Sequence, residues 1–131
     1  MDKRSTYLKV LLADDEPAIR GLVKIFLGSR FDVLEAASGK EALELVPDAT
    51  TLDLLITDEM MPEMEGHELS RRLRLQNPDL RVLYLTGYAD HLFAMKDRMW
   101  DFEAYLDKPF TRKALNEAVA LLVHGRIFLE N

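Results

Sequence analysis

A chain of 131 residues with 48% hydrophobic content can bury one sizeable core, so a single domain over 1–131 that folds without staple or cofactor is expected. It has no cysteine, which excludes disulfides, a thiol nucleophile and thiolate metal sites and suits a reducing compartment. A net charge of −6 disfavours direct nucleic-acid binding, and no segment reads as a signal peptide or membrane span, so a cytoplasmic protein without membrane contact is expected.

Apolar stretches of strand length alternate five times with amphipathic stretches of helical period, the pattern of a parallel sheet covered by helices. The first strand, β1, is Leu8-Lys9-Val10-Leu11-Leu12-Ala13, closed by Asp14 and Asp15. Ile19, Leu22, Val23 and Phe26 then recur at helical spacing, with Pro17 near the start and Gly28 beyond the end, so helix α1 is expected over about 16–27. Strand β2, Phe31-Asp32-Val33-Leu34-Glu35, leads to Ser38-Gly39-Lys40-Glu41, a capping box that opens α2, which is expected to run to about Val46. The apolar run over 52–57 is β3, and Asp58 stands at its exit. Met61-Pro62 holds the next loop extended before α3, which starts near Gly66 and stops before Asn77-Pro78. Arg81-Val82-Leu83-Tyr84-Leu85-Thr86 reads as a buried strand, β4, after which a fourth helix, α4, opens near Ala89-Asp90. Ala104-Tyr105-Leu106-Asp107 is β5, closed by Lys108-Pro109-Phe110. The last helix, α5, carries the stripe Leu115, Ala118, Val119, Leu122 and Val123, with Gly125 as terminator. The core is expected over about 7–124, and the apolar tail Ile127-Phe128-Leu129 has no assigned place in it.

Right-handed βα units bring the carboxyl ends of parallel strands to one edge of the sheet, where open sheets of this kind bind ligands. Asp14, Asp15, Asp58, Thr86 and Lys108 all stand at such ends and are expected to meet. An ionised Asp is a covalent nucleophile of the aspartyl-phosphate kind and needs no activating base, which singles out Asp58. Three clustered carboxylates repel an anionic phosphoryl donor and raise one another's pKa, so the site calls for a divalent cation. Hard oxygen ligands favour Mg²⁺, with Asp15 and Asp58 as direct ligands and Asp14 acting directly or through water. Lys108 would neutralise a phosphoryl oxygen, and the Thr86 hydroxyl would donate a hydrogen bond to it. Each Asp taken singly is better explained as a cap for the helix that follows; their joint occurrence with Thr86 and Lys108 reverses this and favours the site. His67, His91 and His124 lack ligand spacing and are expected to be structural, without a zinc site.

These residues resemble, in order and across nearly the whole chain, the receiver domain of two-component response regulators, similar in size to single-domain chemotaxis regulators. The stretches that carry the resemblance are Asp14-Asp15-Glu16-Pro17, Asp58-Glu59-Met60-Met61-Pro62-Glu63-Met64-Glu65-Gly66, Leu85-Thr86-Gly87-Tyr88 and Lys108-Pro109-Phe110. The resemblance implies a doubly wound (βα)5 flavodoxin-like sandwich with a five-stranded parallel sheet of order 2-1-3-4-5. It implies that Asp58 takes phosphate from the phosphohistidine of a sensor histidine kinase or phosphotransfer protein. Asp14 and Asp15 would organise Mg²⁺, to which the Met60 backbone carbonyl adds a ligand, and Lys108 would bind the phosphoryl group. Thr86 and Tyr105 would be the switch pair, the Tyr105 ring turning inward as Thr86 moves toward the phosphate. Output would pass through the α4–β5–α5 face to a downstream protein or domain, or to a second copy of the chain. A cis Lys108–Pro109 bond is also implied. The whole would be a phosphorylation-activated switch and not an enzyme with a separate substrate.

The chain departs from the family pattern at Asp101-Phe102, where a small Gly-Ala pair is common. Phe93, Met99, Trp100 and Phe102 there either pack in the core or form a contact patch for a partner. Met60 and Tyr88, both bulky, stand where the resemblance places the path of hydrolytic water, which implies slow loss of phosphate. Other readings stay open beside this one. A flavodoxin-like electron carrier shares the architecture but would carry a Ser/Thr/Gly-rich cradle after β1. An aspartyl phosphatase would carry a second acid where this chain has Met60. A receiver used for phosphorylation-independent binding would not need the full set of acids, hydroxyl and lysine. A stand-alone regulator and a receiver excised from a larger regulator or hybrid kinase have the same features within this chain.

Overall fold

Five strands form one parallel sheet, as the alternation of strand and helix patterns predicts, in the order β2-β1-β3-β4-β5 that the resemblance implies. The computed structural model describes residues 7–87 and 102–124. The predicted α4 and the tail lie outside the described residues, as do Tyr88, His91, Phe93, Met99, Trp100, Asp101 and Gly125. Within them the order is β1 Leu8–Ala13, α1 Pro17–Leu27, β2 Phe31–Ala36, α2 Gly39–Leu45, β3 Leu54–Asp58, α3 Gly66–Leu73, β4 Arg81–Thr86, β5 Glu103–Asp107 and α5 Arg112–His124.

Local chemistry explains most of the element ends. Pro17 opens α1, and Gly28 closes it at φ 79°, a left-handed conformation that glycine adopts without penalty, while its N–H bonds the Lys24 carbonyl. Ser38 Oγ accepts the Glu41 N–H at 3.1 Å, as the capping box predicts. The Glu41 carboxylate reaches one residue further back than expected, accepting from the Ala37 N–H at 2.5 Å. β3 starts at Leu54, later than its apolar run, because Asp48 caps a single 3₁₀ turn over Ala49–Thr51 through the Thr50 amide and hydroxyl. α3 ends at Leu73 and unwinds through turns in which the Gln76 and Asn77 amides both bond the Leu73 carbonyl.

The central strands are apolar on both faces, so each face has its own core. On one side Leu11, Ala13, Leu55, Val82 and Tyr84 pack with Ala42 of α2 and Leu69 and Leu73 of α3. On the other, Val10, Leu12, Leu54, Ile56, Leu83 and Leu85 pack with Val23 and Leu27 of α1 and Leu115, Val119 and Leu122 of α5. Each fully buried Leu or Ile contributes about 1.5–3 kcal/mol, which holds the strands in a single register. That register pairs Ala13 with Ala36 and with Thr57, Asp58 with Leu85, and Thr86 with Asp107. Residues 14, 58, 86 and 108 therefore reach the same edge. Among the described residues no helix is long and apolar enough to cross a membrane.

Candidate functional site

Asp14 continues β1 by one residue, its N–H donating to the Ala36 carbonyl at 3.1 Å. Its side chain is fully buried and has two partners. Oδ1 accepts the Glu16 N–H at 2.9 Å, so this carboxylate does hold the entry to α1, and Oδ2 lies 3.3 Å from Lys108 Nζ. Arg20 of α1 fixes the same loop from behind, donating Nη1 to the Asp14 carbonyl at 2.6 Å and Nε to Glu35 Oε1 at 3.2 Å. Asp14 thus braces the residue that opens α1, Glu16, without capping the helix itself, and still contributes to the site.

Asp58 is the last residue of β3 and is buried. Its Oδ1 accepts the Met60 N–H at 3.3 Å and lies 3.5 Å from Lys108 Nζ, while the Met60 side chain stands half-exposed at the rim. Asp15 is exposed, yet oxygens from Asp14, Asp15 and Asp58 all lie within 4.8 Å of one another. Lys108 enters from the end of β5, where its N–H donates to the Thr86 carbonyl at 2.7 Å and its bond to Pro109 is cis, as expected. Its ammonium also lies 3.5 Å from Glu16 Oε1. Thr86 is buried at the end of β4. All five expected residues therefore meet at one edge.

Gly66 explains how α3 can start so close to Asp58. A Cβ there would overlap the Asp58 carbonyl oxygen, and the Gly66 N–H donates to the Glu59 carbonyl at 3.1 Å. The loop between turns tightly, with the Met64 N–H on the Pro62 carbonyl at 2.8 Å and Glu63 at a left-handed φ of 71°.

The electrostatics are those of a site with too much negative charge. Burial first, and the Asp14 charge second, push the Asp58 carboxyl up to about 6, against the opposing pull of Lys108. Burial also raises Asp14, although the Glu16 amide and Lys108 work the other way. For Lys108 burial works downward, but the charges of Asp14, Asp58 and Glu16 together outweigh it and leave its pKa raised. One ammonium is shared among these carboxylates, so the donor set, all hard oxygens within one small cluster, fits a divalent cation of the Mg²⁺ type.

Tyr105 lies on β5 as the register partner of Tyr84, and Thr86 stands two residues beyond Tyr84 on the same face of β4. The half-buried Tyr105 ring stacks on Tyr84 with centroids 4.9 Å apart and packs against the core of that face. Its hydroxyl lies 3.0 Å from His67 Nε2. His67 in turn places Nδ1 2.5 Å from Glu59 Oε2. Sequence reasoning found neither Glu59 nor the part played by His67, which it took as merely structural. The one available signal was a second acid directly after the strand-end Asp58. Of the aromatic segment before β5, Phe102 is described: it is partly buried, with the Arg81 guanidinium 4.2 Å over its ring.

The sequence profile of the response regulator receiver domain matches residues 10–120. The sensor kinase CckA of Brucella abortus is 39% identical over 112 residues, which are 84% of this chain and 12% of the kinase. A chemotaxis protein CheY homolog of Campylobacter jejuni is 35% identical over 117 residues, 84% of this chain and 88% of that protein. The crystal structure of a response regulator receiver domain protein from Clostridium thermocellum aligns with a TM-score of 0.75 at 32% identity, covering 93% of this chain and 98% of that one. The chain thus spans about a tenth of the length of the sensor kinases it matches and most of the CheY homolog.

Proposed function

The chain belongs to the response regulator receiver domain family, and from that premise we propose that it is a phosphorylation-activated switch whose phosphoacceptor is Asp58. What carries the proposal is the convergence of the Asp14, Asp15 and Asp58 carboxylates within 4.8 Å, with Lys108 Nζ within 3.5 Å of both Asp14 and Asp58. In this reading an Asp58 oxygen attacks the phosphorus of a phosphohistidine. An O–P bond forms, the P–N bond breaks, and its electron pair stays on the imidazole nitrogen of the donor. Lys108 exchanges part of its pairing with the carboxylates for a phosphoryl oxygen, and the Thr86 hydroxyl donates a hydrogen bond to the same group. Asp14, Asp15, Asp58 and the Met60 carbonyl would hold Mg²⁺, which when bound supplies the positive charge that admits an anion among carboxylates. Water later cleaves the acyl phosphate, returning the Asp58 carboxylate and inorganic phosphate. The half-exposed Met60 beside Asp58 supports a slow return.

The chain would act as one domain, in the cytoplasm, as a signalling module and not as an enzyme. Upstream stands a histidine kinase or phosphotransfer protein. Downstream, a partner or a second copy would read the β5–α5 side and the predicted α4. Phosphorylation adds about −1.5 to −2 charges, and Thr86 and Tyr105 would convert that charge into a change of this face. Identity to a sensor kinase of which the match spans only 12% also supports a second reading, a receiver within a hybrid kinase that passes phosphate onward. Transfer assays separate the two. A radiolabelled histidine kinase core should lose label to the wild-type chain and not to Asp58→Asn. In the second reading a histidine phosphotransfer domain then removes the label within the same assay. Equal labelling of wild type and Asp58→Asn would defeat both.

A further inference from the structure

Glu59 and His67 take no part in phosphate chemistry as described, yet they join Asp58 to Tyr105. Glu59 follows Asp58 by one peptide and is 1% exposed. Its backbone ties β3 to two neighbours, the N–H donating to the Leu85 carbonyl at 3.0 Å and the carbonyl accepting the Gly66 N–H at 3.1 Å. Its carboxylate meets His67 Nδ1 at 2.5 Å, in the same first turn of α3. His67 Nε2 faces the Tyr105 hydroxyl at 3.0 Å, so the two ring nitrogens bridge the acid and the phenol. The imidazole also stacks on Tyr84 with centroids 4.4 Å apart, and Tyr84 stacks on Tyr105. A carboxylate, an imidazole and a phenol thus form one chain lying against one aromatic ring.

We propose that Glu59 and His67 are positioning residues that latch the Tyr105 hydroxyl, hold its ring against Tyr84, and link its release to the peptide after Asp58. This rests on the reading of the chain as a phosphoryl-dependent switch. To swing away from the sheet, the Tyr105 ring must give up both a hydrogen bond and a stacked contact, while staying gives its partly buried hydroxyl a partner. Burial, with the charges of Glu103 and Glu59, raises the pKa of Tyr105 and keeps the hydroxyl a donor. Thr86 reaches the Tyr105 position along β4, and the latch reaches it through α3. A displacement of the Asp58–Glu59 peptide moves Glu59, whose own carbonyl anchors Gly66, and with it the turn that carries His67.

The test uses the full chain with ¹³C-labelled tyrosine rings, read by NMR with and without Mg²⁺ and beryllofluoride as phosphoryl mimic. His67→Phe keeps a ring to stack on Tyr84 and removes both hydrogen bonds. The expected result is a Tyr105 resonance, assigned by its loss in Tyr105→Phe, that moves toward the position of an exposed tyrosine. Affinity for beryllofluoride should fall by about threefold or more, and in a Tyr105→Phe background His67→Phe should change it no further. An unmoved Tyr105 resonance in His67→Phe overturns the latch, as does an affinity change that persists undiminished in the Tyr105→Phe background. Should His67→Phe fail to fold, Glu59→Gln is read by the same criteria. The ring readout without beryllofluoride is independent of phosphate chemistry. A wild type that binds no mimic therefore counts against the switch reading, while the Tyr105 resonance still decides the latch.

Discussion

Asp58 is held in the folded protein at an electrostatic cost that the unfolded chain does not bear. Its carboxyl rises from an ordinary 3.8 to about 6, through burial and then through Asp14. Between those values the folded state keeps a proton that the unfolded state has lost, so stability falls as pH rises through this window, by up to about 3 kcal/mol from this group. Above pH ~6 the folded state bears the full penalty. Asp58→Asn is therefore expected to melt above wild type at neutral pH without Mg²⁺, and to lose that advantage near pH 4. Thermal melts at the two pH values check this, and equal melting temperatures at neutral pH would contradict it. On the proposed reading Mg²⁺ would bind only the folded site, so it should raise the wild-type melting temperature more than that of Asp58→Asn.

At the scale of elements, the join between β3 and α3 is the tightest geometric constraint near the site. Gly66→Ala would drive a methyl group into the Asp58 carbonyl, so a loss of about 1–3 kcal/mol is expected, as for other overpacked positions. Because the displaced group is the carbonyl of Asp58, the proposed phosphoacceptor, phosphate uptake should slow as well. Urea melts and uptake rates measured on one preparation test both, and a variant with wild-type stability would show that the loop yields easily. The elements were legible where pattern alone decides. β1 and β4 match their apolar runs residue for residue, and Pro17 and Gly28 bracket α1 as expected. The start of β3 was not, because Leu52, read as strand, instead closes the 3₁₀ turn that Asp48 caps, and β3 begins at Leu54. Asp14, Asp15, Asp58, Thr86 and Lys108 were legible because parallel topology carries every strand end to one edge. The contact of Glu59 with His67 was not, since residues eight apart across an irregular loop follow no period.

For the whole molecule, the two cores do the work of alignment. Ile56 is fully buried and lies two residues before Asp58, so Ile56→Ala is expected to cost about 2–5 kcal/mol, whereas the partly exposed Leu34 on β2 should tolerate the same change far better. Denaturant midpoints at constant m-value would show the contrast. The sandwich thereby serves the site, because the register that pairs Asp58 with Leu85 and Thr86 with Asp107 brings acids, hydroxyl and lysine together. The central claim is that this edge accepts one phosphoryl group on Asp58. Its most direct test is intact-mass spectrometry after incubation with acetyl phosphate and Mg²⁺. Wild type should gain a single phosphoryl adduct that fails to form when chelator is present from the start and is absent from Asp58→Asn. A wild-type chain that stays unmodified, or an Asp58→Asn chain modified to the same extent, would contradict the account.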